Sequence, residues 1–376
     1  MKLVCAAVCF ILVYVSFLTE AQSAIFKDGD LVRVRLKTAD SRVEISGQSL
    51  RFQNLENPFR PVAIPENSKA EVRLLEKSGK VFWALRVNGR EQEHLFTNKF
   101  LLIQGEGLRI GAQALPERVL LNHDKRNVDV VGVIPLEDYV VGVLASEMPL
   151  SWPLETLKAQ AVAARSYARA VMEERKDKAY HLESSILDQV FRHVLHEDEN
   201  DPLIKKAVQA VRETQGQKLF AANQKVLKAF FHSDCGGKTT TAKNVWSSGV
   251  NTGTAVDSSC PLNPRAHWKL TLTKEELSRR LRVPNFLSLD LVHLAKEQRV
   301  QSVRVAQADG VSKNISANEF RQLLGFQELR SSMFTIKDQG NSVVFEGQGY
   351  GHGVGLCQWG SRSLGKNGTS YKNILK

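Results

Sequence analysis

The stretch "PLEDYVVGVLASEMPLSWPLETLKAQAVAARSYARAVMEERK" constrains this chain more than any other, because three prolines punctuate it. Pro135 suits the first turn of a helix. From Leu136, apolar residues recur at Tyr139, Val140, Val143 and Leu144, a helical period. Pro149 disfavours helical geometry at Met148, so this helix is expected to end near Glu147. A second helix is expected from Pro153. Its stripe is Leu154, Leu157, Ala161, Ala164, Ala168 and Val171, and so many alanines imply close packing against a neighbour.

Around this pair the pattern divides the chain. Residues 25–118 alternate apolar and polar residues in runs such as "DLVRVRLKT", "KAEVRLLE" and "KVFWALRVNG", broken by Gly, Asn, Asp and Ser. They are expected to form a β-rich accessory region. "NVDVVGVIP" reads as a strand, "PLIKKAVQAVRETQG" as a helix with Gly216 as its stop, and "QKLFAANQKVLKAFFHSD" as a hairpin turning near Asn223. Within residues 263–333, "TLTKEELSRRLR" and "SANEFRQLLG" start at the capping residues Thr273 and Ser316 and flank the strand "VQSVRVAQADG". This reads as a smaller inserted α/β lobe. The chain closes with the strand "NSVVFEGQG" and a glycine-rich loop, "GYGHGVGLCQWGSRS". The expected class is α+β.

Residues 1–24 read as a cleavable export signal: Lys2, the apolar stretch Leu3 to Leu18, Glu20, and small residues ending at Ala24. The alternative is an uncleaved anchor, the one case in which a membrane is an expected partner. The expected location is exported, in the periplasm or cell envelope. The net charge of +11 points to an anionic partner. No basic stretch is interleaved with aromatics, so wall polymer is expected rather than nucleic acid.

Glu147 is the first candidate for chemistry. The negative end of a helix macrodipole disfavours a carboxylate, and packing by Leu144, Met148 and Trp152 would desolvate it; both raise its pKa toward what a general acid needs. The competing reading is a solvent-exposed acid before a turn. The glycines around His352 would let backbone approach a ligand closely, or would simply form a tight structural loop. Gln160 and Arg165, five apart on the second helix, either face a site or bond at a core edge. His232, Cys235 and Cys260 could supply three zinc ligands. Equally, Cys235 and Cys260 could form a disulfide closing a loop of about 25 residues, worth roughly 3 kcal/mol. Export favours the disulfide, and no resident cofactor is then required. Cys357 is left as a lone thiol, with a buried structural role.

"PLEDYVVGVLASEMPLSWPLETLKAQAVAARSYA", "AFFHSDCGGKT…NVW", "SANEFRQLLG" and "GQGYGHGVGLCQWGSRS" together resemble the SpoIID/LytB family (stage II sporulation protein D and amidase enhancer). The resemblance covers residues 119–376, an expected SpoIID-like domain. It implies an enzyme: a lytic transglycosylase cutting the MurNAc–GlcNAc bond of peptide-stripped peptidoglycan strands to 1,6-anhydro ends. The family's catalytic glutamate falls on Glu147 and its motif histidine on His232. Gln160, Arg165, His232, Tyr350, His352 and Gln358 are the residues expected to bind substrate. Some members bind zinc near His232 through His and Cys, which carries over to Cys235 and only loosely to Cys260. Others enhance a cell-wall amidase, so the alternative is a non-catalytic wall-binding module with an amidase as partner. The chain stops at "SYKNILK", a few residues before the end such a member is expected to have.

Overall fold

The computed structural model describes residues 30–376 apart from 55–60, 97–98, 125–126, 195–197, 199, 247–254, 257–262, 264–265 and 295–297. The expected signal peptide therefore lies outside the described residues. The chain divides into two compact units, one holding residues up to 149 with 168–215, the other 150–167 with 216–376.

The first unit is built on one eleven-stranded sheet. Its strands are β1 (Leu31–Ala39), β2 (Arg42–Asn54), β3 (Val62–Ala63), β4 (Lys69–Lys77), β5 (Lys80–Val87), β6 (Arg90–Phe96), β7 (Phe100–Ile110), β8 (Gln113–Ala114), β9 (Arg118–His123), β10 (Val128–Pro135) and β11 (Leu182–Glu183). The order is β11-β1-β10-β9-β7-β2-β4-β5-β6, with β3 on β2 and β8 on β7. The β-rich character expected of residues 25–118 is present in those of them that the structure describes. Strand β7 pairs with β9, so the hydrogen-bond ladder runs straight through residue 118.

Alternation explains the core. Val43, Phe52, Trp83, Leu101, Ile103, Val119, Leu121 and Val130 bury one face of the sheet, and Leu102, Leu120, Val131 and Val133 bury the other. Strand β10 is covered on both sides, which is why "VDVVGVIP" reads as a nearly continuous apolar run. Helix α1 (Leu136–Glu147) follows it directly and ends at Met148, whose φ of −151° and ψ of 157° are extended, as Pro149 demands. Its buried face includes Leu136, Tyr139, Val140, Val143 and Leu144, the set the periodicity marks. Helix α2 (Leu154–Glu174) gives its first fourteen residues to the second unit and the rest to the first. Helix α3 (Pro202–Glu213) is capped by Asp201, which accepts from the Leu203 amide.

The second unit contains the lobe. A sheet of β13 (His267–Thr273), β18 (Ser342–Gln348) and β17 (Phe334–Asp338), and a meander of β14 (Phe286–His293), β15 (Val300–Gln307) and β16 (Ser312–Ser316), share one core with α5 (Lys274–Leu281) and α6 (Ala317–Leu324). Thr273 and Glu276 form the expected capping box, and Ser316 accepts from the Glu319 amide. The rest of the unit holds the short α4 (Ala242–Trp246) and a two-stranded parallel ladder of β12 (Phe231–His232) and β19 (Leu356–Cys357). After it come α7 (Gln358–Lys366) and α8 (Tyr371–Ile374).

Helix α7 departs from the expected loop. Two glycines, Gly360 and Gly365, weaken its helical signal. Tertiary contact compensates: Thr156 Oγ1 donates to Ser361 O at 3.0 Å, and a Cβ on Gly365 would lie only 2.4 Å from that hydroxyl. The architecture is α+β, as expected.

Phe320 is fully buried in the lobe core. Phe320→Ala is expected to cost about 3–5 kcal/mol in urea denaturation, through lost burial and the cavity left behind.

Candidate functional site

In the first unit, Glu147 closes α1. Its Oε1 accepts the Val190 amide at 2.6 Å. Burial pushes its carboxyl up to about 7, against the downward pull of that amide. The solvent-exposed reading of Glu147 therefore gives way to a desolvated acid. Trp152, expected to help desolvate it, belongs to the second unit, where its ring meets Trp359 edge-on at 5.2 Å.

The second unit gathers the remaining chemistry around β12 and β19. Their parallel register sets His232 beside Cys357. His232 is buried; its Nδ1 donates to Val354 O at 3.0 Å, which leaves Nε2 as the ligating nitrogen. The ligand atoms of His232, Cys235 and Cys357 lie within 4.8 Å of one another. Backbone amides point at both sulfurs: Cys235 N and Gly360 N at Cys357 Sγ (3.4 and 3.3 Å), and Gly237 N at Cys235 Sγ (3.3 Å). Such donors favour thiolates, and Cys357 also caps the N-terminus of α7. Asp234 orders the turn by accepting from Gly236 N and Asn263 Nδ2.

One imidazole nitrogen and two amide-bonded sulfurs this close fit three of the four ligands of a zinc ion, at about 2.0–2.3 Å from each. His232 and Cys235 belong to the metal set expected from the sequence. The third member, Cys260, lies outside the described residues. Cys235 itself carries a buried thiol, so the disulfide favoured from the sequence is not formed. Cys357, read from the sequence as a lone structural thiol, is the sulfur that joins them. Its signal was indirect: a cysteine ending a two-residue strand just before a helix start, 122 residues from Cys235.

His352 sits among rings, 5.0 Å from Trp246 and 5.5 Å from His232 between centroids. Its Nδ1 accepts the Val354 amide at 3.0 Å. Burial holds its pKa well below the ordinary value, helped by His232, Arg321 and Arg299. Gly353 has φ +82°, and a Cβ there would strike the Arg299 guanidinium at 2.5 Å, so glycine is required on both counts. Arg299 in turn donates to the carbonyls of Cys235 and Lys238. Tyr350 exchanges backbone bonds with Asp234, and its ring lies 5.8 Å from the Arg330 guanidinium carbon. Gln160 and Arg165 are completely buried and Gln358 nearly so. Arg165 donates to Gln217 O at 3.2 Å. Neither amide atom of Gln160, nor Nε2 of Gln358, has a hydrogen-bond partner among the described residues.

A family model described as "Stage II sporulation protein" (SpoIID) matches residues 124–220, and a domain of unknown function (DUF8618) matches residues 262–355. Stage II sporulation protein D of Bacillus amyloliquefaciens is 32% identical over 271 residues, covering 68% of this chain and 74% of that protein. This chain belongs to the SpoIID family. An uncharacterized protein of Brachyspira hyodysenteriae is 31% identical, with 66% of each chain covered. The amidase enhancer of Bacillus subtilis is 28% identical over 62% of this chain but only 38% of its own length. The family assignment read from the motifs holds.

Two outcomes are expected. Glu147 has a folded pKa raised from 4.5 to about 7, so the unfolded chain ionises first and stability falls as pH rises through that window. Glu147→Gln removes the penalty. It is expected to leave stability unchanged at pH 4 and to raise it by about 2 kcal/mol at pH 8, after discounting for partial exposure, in paired urea titrations. Elemental analysis of the purified protein is expected to find one zinc per chain, absent in Cys357→Ser.

Proposed function

We propose that this protein is a lytic transglycosylase acting on peptidoglycan glycan strands stripped of their stem peptides. The observation that carries the proposal is a single desolvated carboxyl group, Glu147, titrating near 7. Kinship with stage II sporulation protein D and with an amidase enhancer supports a cell-wall role. The net charge of +11 suits an anionic wall polymer, and the leader-like residues 1–24 suit export to the envelope.

The chemistry needs one group in two protonation states. Protonated Glu147 gives its proton to the glycosidic oxygen as the C1–O bond breaks. The resulting carboxylate then takes the proton of the same sugar's C6 hydroxyl, whose oxygen closes onto C1. No water attacks, so no second carboxylate is required across the bond, unlike ordinary glycoside hydrolysis. Glu137 and Asp138 lie about ten residues earlier on α1, roughly 15 Å away along the axis. They suit the positive helix start instead. A pKa near neutrality serves both half-reactions. A zinc ion held by His232, Cys235 and Cys357 would tie β12 to β19.

Likeness to the amidase enhancer supports a second reading, in which the protein binds wall glycan and stimulates an amidase without cutting. Amidase-treated glycan strands separate the two. Wild-type protein is expected to release 1,6-anhydro ends, seen by mass spectrometry, and Glu147→Gln to lose at least about a thousandfold of that rate. The rate should fall above about pH 7, as the acid deprotonates. Wild type producing no anhydro ends while stimulating an amidase would replace this reading with the enhancer.

A further inference from the structure

Resting on that function, we propose that residues 188–192 form a strap clamped onto α1 to hold the Val190 amide against Glu147. Asp188, Arg175, Gln189 and Tyr139 are then positioning residues for the acid. The contacts that build the strap all lie within the first unit.

The clamp has three parts. Arg175 grips Asp188 with two hydrogen bonds, Nη1 to Oδ2 at 2.7 Å and Nη2 to Oδ1 at 3.2 Å. The same carboxylate accepts the Glu183 amide at 2.9 Å, so the strap is tied to edge strand β11. One residue on, Tyr139 of α1 donates its hydroxyl to Gln189 Oε1 at 2.9 Å, in a buried bond. Beyond Val190, Phe191 stacks on the Tyr139 ring, with centroids 5.1 Å apart and planes 23° apart. Val190 is thus pinned from both sides.

Gly142 makes the approach possible. A Cβ at this mid-helix position would lie 2.4 Å from Arg192 O and 2.4 Å from the Phe191 ring. Any side chain would push the strap off the helix. Glycine in a helix interior costs about 1 kcal/mol against alanine, so close packing is the reason for it. One turn further along lies Ser146, whose hydroxyl bonds back to Gly142 O, and then Glu147.

The charged groups of the strap and its ties are paired with one another or with neighbours. Asp188 is held by Arg175, Glu183 pairs with Arg35, and Arg192 lies 3.5 Å from Asp198. Glu137 and Asp138 occupy the opposite end of α1. The strap therefore acts on Glu147 through one oriented N–H rather than through a charge. Burial by itself favours the protonated form. The amide stabilises the carboxylate and so favours both halves of the cycle.

The test follows the Glu147 carboxyl directly, by carbon-13 NMR on glutamate-labelled protein, with Glu147→Gln assigning the signal. Replacing the 189–190 peptide by an ester removes the N–H and keeps the shape. The midpoint is expected to move upward by about one unit in the ester-containing chain, and in the same direction in Asp188→Asn. The alkaline limb of the rate profile should move with it. A midpoint that stays in place, or moves downward, in the ester-containing chain overturns the strap. If Asp188→Asn does not fold, the ester-containing chain alone decides. Glycan strands incubated with wild type are scored separately. Absence of anhydro ends there would sink the transglycosylase reading, while the carboxyl titration would still decide the strap.

Discussion

The contact between Gly142 and the carbonyl of Arg192 is the constraint on which the first unit's chemistry depends. It lets an extended segment lie directly on a helix whose last residue is Glu147. Without it Val190 would not reach the carboxyl, and Tyr139 would reach neither Gln189 nor Phe191. A desolvated carboxyl group in an apolar setting tends simply to stay neutral. Here one backbone donor offsets part of that tendency, and the group titrates where both of its forms are populated.

The second unit uses backbone in a related way. Three amides aim at two sulfurs, and a fourth proton, on His232 Nδ1, goes to a carbonyl. Parallel pairing of two-residue strands is weak by itself, so β12 and β19 need support. Arg299 gives some, gripping the carbonyls of Cys235 and Lys238 while its guanidinium lies against Gly353. That packing explains why a glycine-rich loop here holds its shape: a buried arginine braces it from the lobe.

Much of this was legible in the chain. Pro135, Pro149 and Pro153 bound the first two helices, and Thr273 and Ser316 announced two more. The position of Glu147 gave a reason to expect a raised pKa. The cause differs in emphasis, because burial dominates. What was not legible shares one physical origin. The Val190 amide carries no residue-type signature, since every residue but proline has the same donor. Cys357 reaches Cys235 across 122 residues, a distance no local pattern spans. Helix α7 forms despite Gly360 and Gly365, because contact with Thr156 outweighs propensity.

Strand β11 is only two residues long, yet it adds in parallel to β1 at the edge of the large sheet, pairing Leu182 with Val34. Glu183 is its last residue, and the Glu183 amide bonds the aspartate at the head of the strap. Strand β1 thus anchors the strap that holds the Val190 amide on Glu147, although some 110 residues separate that strand from the acid. The β-rich region is therefore not a detachable module. A chain trimmed to the motif-bearing residues would keep Glu147 and every cysteine of the site, and would lose the edge that holds its acid in register.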